Sequence, residues 1–531
     1  MATAVKPDFD AVVVGAGFGG LVMLHRLRQH GFRARVLEAG SGIGGTWFWN
    51  RYPGARCDIE SMEYSYQFSE ELQQDWEWSE RYATQPEILR YIEHVADRFD
   101  LRRDIQLDTR VNAAHWSHAE SCWTIATDRQ TVTARFLVMA TGCLSSANIP
   151  DFPGRDSFAG KTYHTGRWPH GGVDFTGQRV AVIGTGSSAI QSIPLIAEQA
   201  AHLTVFQRTA SFSIPAHNAP LDPDAVRKVK DDYAGFRAYN AAQAFGAHFS
   251  LPPVLAYGVD ASERERVFEE HWQEGGLGFL SAFGDLLFDH MSNETAAEFV
   301  RAKIRGIVRD PTVAAKLSPK QVIGCKRLCV DTNYYATFNR PNVSLVDVSE
   351  TPIEAITPRG VRVAGQEYAV DAIVFATGFD AMTGAVLAVD IRGTGGRSLR
   401  EKWAAGPRTY LGVGTAGFPN LFLVTGPGSP SVLSNMVPAV EQHAAWIADC
   451  IGHLREHGFA RIEADPAAED AWVGHVNDVA SLTVYPSCNS WYLGANVPGK
   501  PRVFMPYIGF PTYVAKCNEV AAKGYEGFAL S

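Results

Sequence analysis

The segments AVVVGAGFGG (residues 11–20) and VAVIGTGSSA (residues 180–189) decide the fold of this chain. Each segment begins as an apolar strand, turns on closely spaced glycines and continues into a helical pattern. Such turns bring a pyrophosphate against the N-terminus of a helix. Two of them predict an α/β fold with two Rossmann-like dinucleotide-binding domains. The glycines are Gly15, Gly17 and Gly20 in the first segment, and Gly184 and Gly186 in the second, where Ala189 takes the third position.

The two segments differ at the position that contacts the ribose. Glu38 ends the strand after the first segment, and its carboxylate can accept a ribose hydroxyl. The matching position after the second segment is Gln207, followed by Arg208. A carboxylate there would repel a 2′-phosphate, whereas an arginine can pair with one. The pattern therefore predicts FAD at the first site and NADPH at the second.

Length and charge narrow the class of protein. At 531 residues the chain is long enough for about two to four domains. It carries 48 basic and 57 acidic residues, a net charge of −9, without a long run of either sign. This balance disfavours nucleic acid or an anionic membrane as the main partner. We expect a monomer without a metal site.

The N-terminus lacks the pattern of a secretory signal, and no apolar run approaches the roughly 18 residues that suggest a membrane span. A cytoplasmic location is therefore expected. The eight cysteines are scattered, and in this compartment we expect all of them to be reduced thiols.

The order of motifs predicts the domain organisation. Each glycine motif is followed by a buried strand that ends in a small-residue turn, FLVMATG in the first case and AIVFATGFD in the second. Alternating sequence ahead of each predicts small β-sheet excursions, and long amphipathic patterns predict a helical insertion. The expected domains are FAD-binding (1–150 and 385–531), NADP-binding (151–220 and 325–384) and the helical insertion (221–324).

The segment FAGKTYHTGRWP, residues 158–169, joins the two nucleotide motifs and matches the pattern FxGxxxHxxxWP in full. This pattern is the fingerprint of type I Baeyer–Villiger monooxygenases, which the chain resembles over essentially its whole length. It looks most like the branch that contains phenylacetone monooxygenase. The resemblance implies insertion of one oxygen atom of O₂ beside a ketone carbonyl through a C4a-peroxyflavin and a Criegee intermediate. Aryl, bulky or cyclic ketones would give esters or lactones, with sulfoxidation as a side activity.

The resemblance also implies roles for single residues. Arg327, in GCKR, resembles the arginine that stabilises the peroxyflavin and the Criegee oxyanion, and Asp58 resembles the carboxylate that pairs with it. His164 is interpreted as a structural or hinge residue. The implied flavin contacts are Phe18, Glu38, Thr46, Trp47, Asp58, Tyr64 and Val111; the implied NADP contacts are Thr185, Ser187, Ser188, Gln191, Arg208, Thr209, Lys326, Arg327 and Trp491.

The loop GPGSPSVLSNM, residues 426–436, concerns the substrate. It is two residues longer than in the cyclohexanone monooxygenase branch, by this resemblance, and the bulge falls at Ser431 and Val432. We expect these residues and Leu433 to line the substrate pocket.

Other functions are compatible with two dinucleotide motifs. A flavin monooxygenase of amines or sulfides would share the fold, but the WP ending of the fingerprint and the arginine of GCKR favour a ketone oxygenase. A dithiol reductase would need a CxxC motif after the first glycine motif, which the sequence lacks. A non-catalytic FAD and NADP sensor has no use for Arg327, Asp58 and Lys326 together.

Overall fold

A computed structural model describes residues 6–531. Strands and helices alternate around each glycine motif, as expected for parallel sheets covered by helices. The strands are β1 (Phe9–Val14), β2 (Ala34–Leu37), β3 (Ile105–Gln106), β4 (Val111–Ser117), β5 (Cys122–Thr127), β6 (Thr131–Met139), β7 (Lys161–His164), β8 (Arg179–Ile183), β9 (His202–Gln207), β10 (Ser213–Pro215), β11 (Cys329–Asp331), β12 (Val343–Asp347), β13 (Ile353–Thr357), β14 (Gly360–Val363), β15 (Gln366–Ala369), β16 (Ala372–Phe375), β17 (Asp390–Arg392), β18 (Leu421–Leu423), β19 (Ile462–Ala464) and β20 (Phe528–Leu530).

The longer helices begin at the glycine turns, at Gln85, in the insertion and in the C-terminal third of the chain. The helices are α1 (Phe18–Gln29), α2 (Thr46–Trp49), α3 (Glu70–Asp75), α4 (Gln85–Arg98), α5 (Ser187–Gln199), α6 (Pro223–Asp231), α7 (Tyr233–Ala241), α8 (Ala261–Glu274), α9 (His290–Ile307), α10 (Pro311–Leu317), α11 (Tyr334–Thr337), α12 (Gly384–Leu387), α13 (Leu399–Lys402), α14 (Met436–Glu456), α15 (Pro466–Ser481) and α16 (Phe510–Ala522).

The first sheet has the order β17-β4-β5-β6-β1-β2-β3, and β18 also pairs with β6. Strands from both ends of the chain therefore share one sheet. Its core strands are apolar because α1 and α14 cover one face, and Val13 and Phe136 are buried there. The antiparallel pair β4–β5 is the excursion predicted from alternating sequence.

The second sheet has the order β12-β9-β8-β16-β7, and all its strands are parallel. The fingerprint segment supplies β7 at its edge. The antiparallel strands β13, β14 and β15 form the second predicted excursion. Helices α6 to α10 make up the insertion, and β10 pairs with β11 where the chain leaves and re-enters the second sheet's domain.

The two glycine turns are built alike. Gly15 has φ of 104° and Gly184 has φ of 112°, a region that favours glycine. A Cβ would lie 2.6 Å from the Ala140 carbonyl oxygen at the first turn, and 2.4 Å from the Ala376 carbonyl oxygen at the second. Each glycine turn is thus pressed against the small-residue turn that follows its domain's buried strand, which explains why both patterns recur together.

The prediction of an α/β chain with two Rossmann-like sheets and a helical insertion is confirmed. The domain boundaries stay predictions, since pairing identifies shared sheets but not where a domain begins. Among residues 6–531, no helix is both long enough and apolar enough to cross a bilayer.

Candidate cofactor and catalytic site

The centre of the candidate site is an ion pair between Arg327 and Asp58. Arg327 lies two residues before β11, and Asp58 follows α2 on the first sheet's side. The Nε and Nη2 atoms of Arg327 donate to the two carboxylate oxygens of Asp58 at 3.0 and 2.8 Å. The Nη1 atom donates to the Val432 carbonyl oxygen at 2.7 Å. The guanidinium is therefore held on one side by Asp58 and on the other by the loop of residues 426–436.

This cation stays charged. Burial by itself would lower the pKa of Arg327, but the Asp58 carboxylate raises it above its ordinary value. Three of the five N–H groups of a guanidinium are used by Asp58 and Val432, which leaves the others for a further acceptor.

Tyr492 is a neighbour of Arg327 that sequence reasoning missed. Its ring is buried, and burial raises the pKa of its hydroxyl to about 12, a rise that the adjacent Arg327 cation opposes. Trp491, predicted as an NADP contact, is partly buried and packs against the Tyr492 ring with 4.3 Å between centroids. The position of Tyr492 beside a predicted contact was the available signal.

On the flavin side, Glu38 organises the first glycine turn. Its carboxylate accepts from the amides of Ala16 and Gly40, both at 2.7 Å, and burial raises its pKa while these bonds oppose the rise. The Thr109 amide donates to the Glu38 carbonyl at 2.8 Å, which places β4 and its first residue, Val111, beside the same turn. The side chain predicted to contact the ribose therefore lies against the glycine turn, to which it is hydrogen-bonded.

Aromatic residues surround this turn. Trp47 donates its Nε1–H to the Tyr64 hydroxyl at 3.2 Å, and Phe18 packs edge-on against Tyr64 with 5.3 Å between centroids. Thr46 is the exposed first residue of α2. A Cβ on Gly17 would lie 3.3 Å from the Gly45 Cα, so two backbone segments meet where a pyrophosphate must approach. The residues fit a bound dinucleotide.

On the NADP side of the site, the cationic side chains of Arg208 and Lys326 lie close to each other. Burial and then the Arg208 charge lower the pKa of Lys326. Gln207 is buried, and its amide donates to the Lys316 carbonyl oxygen at 2.7 Å, so it turns away from the surface and leaves Arg208 exposed. Two adjacent cations repel each other, and a phosphate between them would remove that repulsion.

The second glycine turn has room for a ligand. No atom lies within 4 Å of a Cβ built on Gly186. Ser188 and Thr165 exchange a hydroxyl hydrogen bond at 3.1 Å, and the Ser187 hydroxyl lies 3.4 Å from the Cys329 sulfur. The Thr185 hydroxyl donates to the Thr209 carbonyl oxygen at 2.8 Å, which ties the turn to the end of β9.

Gln191, predicted as an NADP contact, joins the two sheets' domains. Its Oε1 accepts from the Tyr52 hydroxyl at 2.9 Å, and its Nε2 donates to the Arg56 carbonyl oxygen at 3.1 Å. The loop that carries Asp58 is therefore fixed to α5 of the other domain.

The predicted substrate residues lie against Arg327. Ser431 is fully buried with φ of 46°, an uncommon conformation for a side-chain-bearing residue, and its hydroxyl lies 3.0 Å from the Cys143 sulfur. Val432 and Leu433 belong to an apolar cluster with Tyr492. The contact that reaches Arg327 is the Val432 carbonyl oxygen, a backbone group that no side-chain pattern could predict.

His164 ends β7 with its ring buried. Its Nδ1 accepts from the Gly166 amide at 2.9 Å, and its Nε2 lies 3.4 Å from the Thr377 hydroxyl. Burial lowers its pKa to about 4, so the ring is neutral at pH 7. These contacts support the structural role.

A second charged group connects the insertion with the Asp58 loop. His248 contacts Glu63 through its Nδ1 atom, and the Glu60 carboxylate lies 3.9 Å from its Nε2 atom. Burial by itself would lower the pKa of His248, but the bond to Glu63 and the nearby carboxylates raise it to about 9. Arg81 pairs with Glu60 at 2.6 Å, so a second cationic side chain faces the carboxylates of this group.

The expectation of eight reduced thiols is wrong for one pair. Cys325 and Cys488 form a disulfide with 6.0 Å between their Cα atoms. They are 163 residues apart, so only tertiary structure brings them together. The other six cysteines are free and buried.

Residues 12–242 match the family model described as pyridine nucleotide-disulphide oxidoreductase. A protein of Pseudooceanicola batsensis named Baeyer-Villiger monooxygenase is 44% identical, over 98% of this chain and 96% of its own length. The phenazine N-monooxygenase PhzNO1 of Lysobacter antibioticus is 43% identical, over 99% and 97%.

Solved structures superimpose on almost all of the chain. An oxidized steroid monooxygenase bound to NADP is 54% identical and superimposes with a TM-score of 0.94, over 98% of this chain and 99% of its own. A related structure was solved as a complex with FAD and NADP.

Proposed function

The chain belongs to the Baeyer–Villiger monooxygenase family, and from this premise we propose that it is an NADPH- and O₂-dependent flavoprotein converting aryl, bulky or cyclic ketones to esters or lactones. The observation that carries the proposal is the Arg327 guanidinium, fixed by Asp58 and the Val432 carbonyl next to an apolar wall. A non-catalytic binding protein would not need a fixed cation there.

FAD, once reduced by NADPH, supplies the activation of O₂ and the transfer of one oxygen atom to the ketone. The Glu38 turn and the aromatic residues Phe18, Trp47 and Tyr64 would hold this cofactor. Arg327 supplies preorganised N–H donors toward the negative charge that develops on oxygen, in a site that is largely shielded from water. Asp58 orients that cation and keeps its plane fixed.

NADPH is held by a different set of residues. Gly184 and Gly186 form the turn that accepts the pyrophosphate, while Arg208 and Lys326 would bind the 2′-phosphate. Lys326 and Arg327 are neighbours, so one short loop serves both cofactor selection and oxygen transfer. Movement at the NADP phosphate is thereby linked to the position of the catalytic cation.

The wall beside Arg327 favours apolar ketones. Val432, Leu433, Met505 and the ring of Tyr492 belong to one apolar cluster, which would stabilise a bulky hydrocarbon skeleton while Arg327 contacts the reacting oxygen. The most identical of the relatives described above is a steroid monooxygenase, whose named substrate class is bulky and polycyclic.

A second candidate activity is N-oxygenation of an aromatic heterocycle. It is favoured by the phenazine N-monooxygenase, which matches this chain almost as well as the Baeyer–Villiger relative. The two activities share the activation of oxygen and differ in the acceptor atom.

The test is to supply the purified flavoprotein with NADPH and ¹⁸O₂ and to identify products by mass spectrometry. Phenylacetone, cyclohexanone, a steroid ketone, a sulfide and a phenazine serve as acceptors. We expect esters or lactones that carry one ¹⁸O, and NADPH consumption that ketones stimulate. Oxygen on the phenazine alone would replace the proposal with N-oxygenation, and no oxygenated product from any acceptor would overturn both.

Monomeric state and cytoplasmic location stay predictions. Size-exclusion chromatography with light scattering tests the first, and fractionation of the native host tests the second.

A further inference from the structure

The Cys325–Cys488 disulfide lies next to the residues that serve both cofactors. Cys325 immediately precedes Lys326 and is followed two positions later by Arg327. Its side chain is fully buried, while Cys488 is half-buried. The bond therefore joins the loop that carries Lys326 and Arg327 to a segment 163 residues further on in the chain.

The segment around Cys488 has little regular structure of its own. Between α15 and α16 it contains only the short turns Tyr485–Ser487 and Trp491–Leu493. Side-chain bonds hold its far end, including Asn496 Nδ2, which donates to the Phe379 carbonyl oxygen at 2.6 Å. Segments without ladder hydrogen bonds open at low free-energy cost, so a covalent tether has a large effect on their position.

Two contacts join this segment to the loop of residues 324–328. Cys488 bonds to Cys325, and Tyr492 lies beside Arg327. Trp491 lies between these two contacts. The disulfide thus fixes where Trp491 and Tyr492 lie with respect to Lys326 and Arg327.

We infer that Cys325 and Cys488 are a reversible oxidation site, and that its disulfide state fastens the 485–493 segment over the cofactor loop, tightening NADPH binding and suppressing peroxide release. The inference rests on the proposed function for the part that concerns ketone oxidation. In the dithiol state, Tyr492 and Trp491 are free to leave Arg327 and Lys326, and water gains access to the site.

Hydrogen peroxide is the oxidant. A flavin monooxygenase without an acceptor converts NADPH, H⁺ and O₂ to NADP⁺ and H₂O₂. The thiolate of Cys488, the more exposed cysteine, attacks one peroxide oxygen and breaks the O–O bond, giving a sulfenic acid and a hydroxide that is protonated to water. The Cys325 thiol then displaces a second water from that sulfur, forming the S–S bond. Two thiols are oxidised by two electrons, and one H₂O₂ is reduced to two H₂O.

The consequence is a feedback. Turnover without a ketone releases peroxide, and peroxide oxidises Cys325 and Cys488 to the disulfide. The disulfide holds the 485–493 segment over the site, which excludes water and lowers further peroxide release. A small dithiol reverses the bond by thiol–disulfide exchange at the half-buried sulfur of Cys488.

The experiment compares the wild-type holoenzyme after treatment with H₂O₂ and after treatment with dithiothreitol. Free thiols are counted under denaturing conditions, and cross-linked peptides are mapped to separate Cys325–Cys488 from any bond to Cys329. We expect six thiols in the oxidised sample, since eight cysteines are present and two are paired, and eight in the reduced sample.

Kinetics on the same samples test the function of the bond. Reduction should raise the KM for NADPH by about tenfold, as for the loss of one hydrogen bond to a charged group, and increase the peroxide formed per NADPH. The variants Cys325→Ser and Cys488→Ser should both behave like the reduced wild type. Treatment with H₂O₂ should change neither their KM for NADPH nor the peroxide that they form per NADPH. Cys122→Ser, a buried cysteine on β5, is the matched control and should behave like the wild type.

Equal KM for NADPH and equal peroxide yield in the two redox states would overturn the inference, as would eight thiols after peroxide treatment. Wild-type samples decide this even if a serine variant fails to fold. The thiol count, the KM for NADPH and the peroxide yield need no ketone. A failure of ketone oxidation with these three readouts intact would therefore count against the proposed function alone.

Discussion

Arg327 and Asp58 are 269 residues apart in sequence and form a two-point ion pair that spans the junction of the two dinucleotide-binding sheets. Each residue comes from a loop that the other domain also contacts. Asp58 follows residues held by Gln191 of α5, and Arg327 donates to Val432 of the first sheet's domain. Three chain segments together thus fix the guanidinium for which we propose the catalytic role.

The first prediction concerns Arg327→Ala. We expect FAD binding and flavin reduction by NADPH to persist, because no N–H of Arg327 contacts the first glycine turn. Ester formation should fall by about 10² to 10³ or more, the cost of removing one preorganised donor to a developing oxyanion. Product yield and the rate of flavin bleaching under anaerobic conditions measure the two steps separately.

Arg327→Lys is the matched control, because it keeps the charge and loses the planar fork that holds both oxygens of Asp58. We expect an intermediate rate. Ester formation by the alanine variant within tenfold of wild type would remove Arg327 from the catalytic role.

The second prediction concerns Arg208→Ala and Lys326→Ala. Each removes one cation from the pair proposed for the 2′-phosphate, a loss of roughly 1.5 to 3 kcal/mol, or about 10- to 150-fold in NADPH affinity. NADH lacks this phosphate, so its affinity should change little. Titration of each nucleotide against the oxidised enzyme gives both values.

Arg362→Ala is the charge-matched control, since Arg362 is an exposed arginine on β14. It should leave the preference for NADPH unchanged. Equal weakening of NADPH and NADH by the Arg208 and Lys326 variants would mean that these residues support the fold rather than select the phosphate.

The third prediction is a pH dependence of stability from His248 and Glu63. Since the pKa of His248 is raised to about 9 in the fold from 6.5, the protonated ring stabilises the folded state fully below pH 6.5. This contribution is lost as the pH rises through 9. The charged groups around the ring are Glu60, Glu63, Glu274 and, through its pair with Glu60, Arg81.

Melting temperatures from pH 6 to 10 test this for the wild type and for His248→Gln. A partly exposed ion pair is worth up to about 1 kcal/mol, or about 1–2 °C in a chain of this size. The wild type should lose that advantage over the variant between pH 7 and 9.5. A constant difference across this range would contradict the raised pKa.

Sequence patterns were sufficient for the fold because both glycine turns and both buried strands are local signals. At Gly15 and Gly184 the backbone packs so closely against a carbonyl oxygen that no side chain fits. This requirement for glycine is visible in the sequence motif itself. The pairing of Cys325 with Cys488 was not predicted, because the two cysteines are 163 residues apart and Cys488 lies in a C-terminal segment without periodicity. The contact of Tyr492 with Arg327 was missed as well, although the position of Tyr492 next to the predicted NADP contact Trp491 was a signal for it. The contact of Val432 with Arg327 could not be predicted for another reason. It is made by the backbone carbonyl oxygen, which every residue type carries, so no sequence motif marks it.

The last prediction concerns the substrate wall. Since Arg327 donates to the Val432 carbonyl oxygen, shortening this loop would disturb the proposed catalytic cation together with the proposed pocket. Side-chain substitutions separate the two effects. Val432→Ala and Leu433→Ala keep the carbonyl and remove apolar volume from the cluster that includes Tyr492 and Met505. Changes of this kind are worth about 1 to 3 kcal/mol between competing substrates.

We therefore expect both variants to shift kcat/KM toward the steroid ketone and away from phenylacetone, while the rate of flavin reduction stays near that of wild type. Ala480→Ser changes a buried neighbour in the same cluster by one hydroxyl and serves as the control for general disturbance. The measurement is kcat/KM for phenylacetone, cyclohexanone and the steroid ketone with each protein. An unchanged ranking of the three ketones, in variants that still bind FAD, would place the substrate pocket elsewhere than at Val432 and Leu433.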